Sequence, residues 1–263
     1  MSNLKDKKLF LLDMDGTIYL DNDLFDGTID FLNYVKSIGG RYIFLTNNSS
    51  KSVDKYVEKL LTLGITATAD DFLTSVNATV VYLKKQSYKK IYAFGTKSFI
   101  SQLKSEGLPV TDKLEDDIDC LCMGFDTELA FQKLEDACIL LGRGVDYIAT
   151  NPDWVCPTWY GFVPDCGSVS EMLYNATKRR PLFIGKPEPA MVELALDKTG
   201  FKKEEAAIMG DRLYTDIACG VNAGISSIFV LSGEGTMEDL AKSEVKPEFV
   251  YDNIRAICDE LIK

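Results

Sequence analysis

The apolar run Leu9–Leu12 breaks off at Asp13-Met14-Asp15-Gly16-Thr17, and no other segment restricts the fold of this chain as much. Four consecutive apolar residues bounded by a polar turn read as a buried parallel strand, whose C-terminal end is where open α/β sheets bind their ligands. The strand therefore delivers two carboxylates to a ligand edge. If its direction persists through Met14, a period of two sends Asp13 and Asp15 to the same side, where like charges repel strongly unless a cation lies between them. The same five residues also fit an acidic turn in which Gly16 supplies permissive dihedrals.

Several function classes fall away on composition. The net charge of −11 argues against nucleic acid, which needs a basic face that releases counterions. The chain contains no histidine, which removes His-dependent triads, Cys-His pairs, H-E-x-x-H zinc sites and imidazole bases. Catalysis must then run on carboxylates, lysine and metal. Neither a G-x-x-x-x-G-K-[ST] loop nor a G-x-G-x-x-G fingerprint occurs. The seven cysteines form no C-x-x-C pair, and Cys120 and Cys122 in the apolar stretch 118–125 read as small buried hydrophobes. The start MSNLKDKK has no hydrophobic h-region and no run approaches the ~18 apolar residues of a membrane span, so a cytoplasmic location is expected, with no membrane partner. A length of 263 residues approaches the ~250–300 at which single cores stop growing, so one core with an insertion, or two small domains, is expected.

Strand and helix patterns alternate along the chain as in a parallel sheet. A helix is expected over 29–38, then a strand over 41–45 ending at Thr46-Asn47-Asn48-Ser49-Ser50. Val53, Tyr56, Val57, Leu60 and Leu61 mark one face of a helix over 52–63, stopped by Gly64. Thr46 thus stands where a strand feeds a helix N-terminus, a place that favours an anion, although Ser and Asn there also serve as plain caps. Residues 76–180 read as a second, smaller α/β unit, with strands over 90–94, 118–125 and 146–149; residues 1–75 and 181–263 read as the core. A strand over 182–184 returns to the core sheet and sets Lys186 at its end, within Gly185-Lys186-Pro187-Glu188-Pro189. The strand over 206–209 ends at Gly210-Asp211, with Asp216 one turn later at the start of a helix over 217–223. Strands over 227–231 and 249–251 and a helix over 253–262 complete the sheet.

Four strand ends then contribute, in order, an acid pair, a hydroxyl, a lysine and another acid pair. At ~4 Å and an effective dielectric of about 20, each repulsion among such acids is of order 4 kcal/mol, which makes a divalent ion the economical explanation. Oxygen ligands suit magnesium. Together with Lys186, Mg2+ comes closer than the lysine alone to balancing these acids and a phosphate dianion.

The ordered set D-M-D-G-T, L-T-N-N-S-S, G-K-P-E-P and G-D-R-L-Y-T-D-I resembles the haloacid-dehalogenase-like (HAD) phosphatase superfamily, specifically its class IIA branch of NagD-like, or p-nitrophenyl-phosphatase-like, proteins. All four motifs stand in family order, and the long insertion falls where that branch carries its cap. The resemblance implies a doubly wound parallel sheet, a Rossmann-like core, with an inserted α/β cap domain. It implies a phosphatase of small phosphorylated metabolites in which Asp13 forms an aspartyl-phosphate while Asp15 protonates the leaving oxygen and later takes a proton from water. Mg2+ would be held by the Asp13 and Asp211 carboxylates and the Asp15 backbone carbonyl, with Lys186 and Thr46 on phosphoryl oxygens. Asp216 would orient Lys186 or a metal-bound water, and Asn47 a phosphate oxygen or the cap loop. A phosphoryl transferase or mutase of the same fold, and a non-catalytic phosphate-binding module, are the alternatives.

Substrate choice is expected to lie in the cap. The stretch from Thr150-Asn151-Pro152-Asp153 through Pro157-Thr158-Trp159-Tyr160-Gly161 to Asp165-Cys166-Gly167-Ser168 resembles the family's cap loop, and reads equally as a rigid Pro/Gly loop over buried aromatics. Asp165 and Ser168 depart from the glycine and alanine usual in the family, so the extra acid either favours hydroxyl-rich or cationic leaving groups or caps the next helix. By analogy with the family, a homodimer through the cap is expected.

Overall fold

The computed structural model describes residues 3–158 and 160–262; Trp159 of the cap loop, like the first two residues and the last, lies outside them. The chain divides into two compact units, one of Met1–Thr46, Val57–Leu73 and Lys186–Lys263, the other of Asn47–Tyr56 and Thr74–Gly185.

The first unit opens with β1 (Leu9–Leu12), all four residues of which are buried. A tight turn then leads to a hairpin of β2 (Tyr19–Leu20) and β3 (Asp23–Leu24). Next come β4 (Arg41–Thr46) and β5 (Phe72–Thr74), separated by the helix Val53–Thr62. The second unit supplies β6 (Ile91–Phe94), β7 (Val110–Thr111), β8 (Cys120–Met123), β9 (Asp146–Ala149), β10 (Val155–Thr158), β11 (Gly161–Pro164) and β12 (Leu182–Phe183). The chain then returns to the first unit with β13 (Ala206–Gly210), β14 (Ser226–Val230) and β15 (Phe249–Tyr251).

The first unit's sheet has the order β15-β14-β13-β1-β4-β5, and the pairings from β15 through β4 are parallel. An apolar run that never alternates is what a strand covered on both faces requires. Phe31, Leu32 and Val35 of the helix Thr28–Ser37 supply part of that cover, with Phe31 edge-on to Phe10 at 5.1 Å. Successive strands move outward from β1 on one side, and the chain comes back to β13 on the other. The reversal between β1 and β13 is the kind of switch point at which a doubly wound sheet opens a crevice beyond its strand ends.

The second unit has its own sheet, ordered β12-β9-β8-β6-β7, with parallel pairings, and a separate antiparallel hairpin of β10 and β11. Its core gathers Tyr92, Phe94, Leu121, Met123, Leu140 and Leu173. Cys120 and Cys122 are buried in β8 and all seven cysteines are free, as small hydrophobes would be.

Two features of this partition differ from the sequence reading. Expected to rejoin the core sheet, the strand over 182–184 instead pairs with β9, Leu182 opposite Ile148 and Phe183 opposite Ala149. The ladder runs on through Ile184 N to Ala149 O and Gly185 N to Thr150 O, so the first unit resumes only at Lys186. Hydropathy identifies a strand but not the sheet it joins. Residues 47–56 also go with the second unit, because Ser49 Oγ accepts from Phe125 N at 2.7 Å and shares a 2.9 Å hydrogen bond with Thr150 Oγ1, while Ser75 Oγ donates to Asn47 O.

Candidate active site

Asp13 follows β1 directly, and its N–H still donates to Met209 O at 2.9 Å, so it is fixed by the ladder although the strand ends at Leu12. Asp211 occupies the equivalent place after β13. Beyond it, Leu213–Ile217 forms a wide π turn, the Ile217 N–H reaching back to Arg212 O, which swings Asp216 under the strand end. Such turns recur at functional sites because they re-aim a single side chain. Gly210 permits the approach, since a Cβ there would overlap the Asp216 side chain.

Lys186 joins these groups. Its Nζ donates to Asp13 Oδ1 and to Asp216 Oδ1, each at 2.6 Å, and to Leu45 O, one residue before Thr46, at 3.5 Å. Carboxylate oxygens of Asp13, Asp211 and Asp216 lie within 4.8 Å of one another. Two strand ends, the π turn and the segment after the insertion thus bring Asp13, Asp211, Asp216 and Lys186 together, whereas the sequence reading set the lysine at the end of a core strand.

Asp15 is placed differently from the sequence expectation. β1 does not persist through Met14, and the acids that share space with Asp13 are Asp211 and Asp216. The Asp15 side chain, 44% exposed, turns to Lys59, whose Nζ lies 3.7 Å from Oδ1, and accepts from the Tyr19 hydroxyl at 3.3 Å. As a metal ligand Asp15 is thus left with its backbone carbonyl. Thr46 is buried at the end of β4. Asn47 is the first residue of the second unit, where its Nδ2 donates to Asp153 Oδ1 at 3.4 Å. Asp153 also accepts from Asn151, which donates to Asp165 as well; Asp165 is buried and caps the helix Cys166–Thr177 through Cys166 N.

The loop after β14 belongs to the site and has no counterpart in the sequence reading. Glu234 N donates to Asp211 Oδ2 at 2.7 Å, Gly235 N to Asp211 O, and Ser232 Oγ to Gly16 O. Gly16, at φ +84°, closes the turn beside it, and a Cβ there would lie 2.5 Å from Asp211 Oδ2. Ser232-Gly233-Glu234-Gly235 contains no charge pattern that singles it out, and only its Gly spacing hints at a turn.

Electrostatics show what the cluster lacks. Burial pushes the Asp13 carboxyl well above the ordinary range; Lys186 opposes this, and Asp216 and Asp211 add to it. Burial, then Asp216, pushes Asp211 up to about 6 against the Glu234 N–H. Burial disfavours the Lys186 ammonium, but Asp13 and Asp216 together outweigh it and hold the lysine charged. Among the described residues, Asp211 Oδ1 is buried without a hydrogen-bond partner. A carboxylate oxygen so placed costs free energy unless something positive faces it. Three carboxylates against one ammonium, all oxygen donors, with one oxygen unengaged, fit a hard divalent ion bound by Asp13 and Asp211.

A haloacid dehalogenase-like hydrolase model matches residues 10–109, and a HAD-hydrolase-like model matches residues 183–257. An acid sugar phosphatase of Staphylococcus haemolyticus is 33% identical over 261 residues, 99% of this chain and 98% of that one. The crystal structure of a 4-nitrophenylphosphatase from Thermotoga maritima superposes with a TM-score of 0.92 at 41% identity, covering 98% of both chains. NagD from Escherichia coli K-12 does so with a TM-score of 0.86 at 30% identity, covering 95% of this chain and 97% of that one.

Proposed function

The chain belongs to the haloacid dehalogenase-like hydrolases, in their NagD-like branch, and we propose that it is a Mg2+-dependent phosphatase of small phosphorylated metabolites that works through an aspartyl-phosphate on Asp13. Phosphate-monoester hydrolysis is the activity in the names of its relatives, an acid sugar phosphatase and a 4-nitrophenylphosphatase. The observation that carries the reading is the Lys186 ammonium, buried between Asp13 and Asp216 beside the unengaged Asp211 oxygen.

In the first step an Asp13 carboxylate oxygen attacks phosphorus, the bond from phosphorus to the ester oxygen breaks, and Asp15 transfers its proton to that leaving oxygen. Water then attacks the phosphorus of the aspartyl-phosphate, gives a proton to Asp15, and releases inorganic phosphate and the Asp13 carboxylate. Lys186 fixes the orientation of Asp13 and presents a positive charge where the phosphoryl oxygens arrive, while Asp216 holds the lysine in place. Thr46, at the neighbouring strand end, donates to a phosphoryl oxygen. Asn47 acts with the second unit's Asp153 in holding the cap loop. A divalent ion bound by Asp13, Asp211 and the Asp15 carbonyl would supply the Lewis acidity that draws charge from the phosphoryl oxygens. Acid–base help is typically worth ~10²–10⁴-fold, so most of the acceleration falls to these fixed charges.

The proposal extends to a cytoplasmic enzyme whose second unit selects the substrate and mediates a homodimer. The test uses p-nitrophenyl phosphate. Hydrolysis is expected to stop with EDTA, to return with Mg2+, and to fall by at least ~10³-fold in Asp13→Asn. Activity that survives chelation, or an acid-trapped phosphoryl adduct mapping away from Asp13, overturns it. Comparing kcat/KM across sugar phosphates, nucleotides, glycerol phosphate and pyridoxal phosphate then ranks the substrates.

A further inference from the structure

The chain folds back on Asp15 immediately after it leaves the strand. Thr17, Ile18 and Tyr19 N–H groups all point to Met14 O, and Gly16 N donates to Tyr19 O at 2.8 Å, a single tight turn that returns the Tyr19 ring to Asp15. The ring is buried, so its hydroxyl has a fixed position, and it donates to Asp15 Oδ2 at 3.3 Å. Lys59 arrives from a different element, the last turn of the helix Val53–Thr62, whose neighbouring Leu60 is buried. Its Nζ lies 3.8 Å from the centroid of the Tyr19 ring and 3.7 Å from Asp15 Oδ1. The three side chains close a triangle: each touches the other two, and each carboxylate oxygen of Asp15 is met by a different group.

An exposed ion pair adds little to fold stability, so stability alone gives weak reason for this arrangement. Its geometric consequence is larger. A carboxylate 44% exposed would otherwise sample several rotamers, and proton transfer requires the donor within hydrogen-bond reach of the leaving oxygen. We infer that Lys59 and Tyr19 are positioning residues for Asp15, which hold its carboxyl aimed at the leaving-group oxygen. The inference rests on the reading of Asp15 as the proton donor. Lys59 supplies a charge on a ring-guided stem, since the ring face attracts the ammonium and limits where it can go. Tyr19 supplies the second point of attachment.

Leaving groups of different basicity separate this role from a structural one. A nitrophenolate departs with little need of a proton, whereas an alkoxide needs one, so an aiming defect weighs on kcat/KM for alkyl phosphates. The probes are p-nitrophenyl phosphate and the best alkyl phosphate substrate of the wild-type enzyme, with Mg2+ present. Lys59→Met is expected to lower kcat/KM for the alkyl phosphate about tenfold more than for p-nitrophenyl phosphate, a fraction of the ~10²–10⁴ open to acid catalysis. Lys59→Arg, which keeps a cation over the ring, is expected to recover most of it. Tyr19→Phe, which keeps the buried ring, is expected to show a smaller selective loss and serves where Lys59→Met folds poorly. Asp15→Asn gives the benchmark. If it lowers kcat/KM for the alkyl and aryl phosphates alike, Asp15 is not the proton donor and the inference falls with that reading. If Asp15→Asn is alkyl-selective while the Lys59 and Tyr19 variants lose both activities equally or neither, the positioning role alone is overturned.

Discussion

At Asp211 one carboxylate combines burial with only partial hydrogen bonding. Its Oδ2 is held by Glu234 N, its Oδ1 is buried without a partner among the described residues, and its carboxyl is pushed up to about 6. In the metal-free protein the folded state therefore binds a proton more tightly than the unfolded chain, whose Asp titrates near the ordinary 3.8. Between about pH 4 and 6 the folded form carries more protons, so the unfolding free energy must fall as pH rises through that window. A shift of this size corresponds to roughly 3 kcal/mol at most. Urea unfolding of the EDTA-treated protein is expected to be flatter over pH 4.5–6.5 in Asp211→Asn than in the wild type. An equal slope in both would remove Asp211 as the source. Protons and a divalent ion compete for the same oxygens, so Mg2+ affinity is expected to weaken as pH falls through about 6, which isothermal titration at pH 5.5 and 7.5 checks.

Between β13 and the π turn that follows, fit is set by a missing side chain. A methyl at Gly210 would collide with Asp216, the residue that anchors Lys186. Overpacking usually costs ~1–3 kcal/mol, and here the strain falls directly on the lysine's anchor. Gly210→Ala is expected to lower the urea midpoint by that amount and to cut kcat at least ~10-fold with little change in KM; unchanged kcat would separate Asp216's position from turnover. Elements of this kind mark the limit of what the sequence discloses. Asp13 and Asp211 are legible because neighbouring strand ends of an α/β sheet carry them to one edge; Asp216 and Lys186 reach them through the π turn and the segment after β12, which no strand pattern specifies. Asp15's contacts were not legible, because periodicity extends a strand past Leu12 that the Met14-centred turn in fact ends. The Ser232–Gly235 loop reaches Asp211 through backbone N–H groups, which leave no trace in residue identity. The Leu182–Phe183 strand was visible, but a two-residue strand joins whichever sheet offers a register, and β9 offered it.

Taken as a whole, the molecule concentrates this chemistry in one of its two units. Asp13, Asp15, Lys186, Asp211 and Asp216 all belong to the first, while the second builds its own five-stranded sheet and core. An ion that binds the folded site and not the unfolded chain must stabilise the unit that carries the carboxylates. At 100 times its dissociation constant, such an ion adds about 2.7 kcal/mol, and for a unit of this size that is a rise in Tm of about 5–10 °C. In scanning calorimetry of EDTA-treated protein, Mg2+ is expected to raise the transition of the first unit by that order. If the second unit melts separately, its transition is expected to stay where it was, because none of the carboxylates proposed to hold the ion lies in it. Asp211→Asn should abolish the shift while leaving the second transition in place. A shift of equal size in that variant would mean that the ion binds elsewhere on a chain of net charge −11, which has many surface carboxylates to offer. Excess Ca2+ discriminates further: a specific oxygen site discriminates the two ions by size and coordination number, whereas diffuse screening of acidic surface treats them alike.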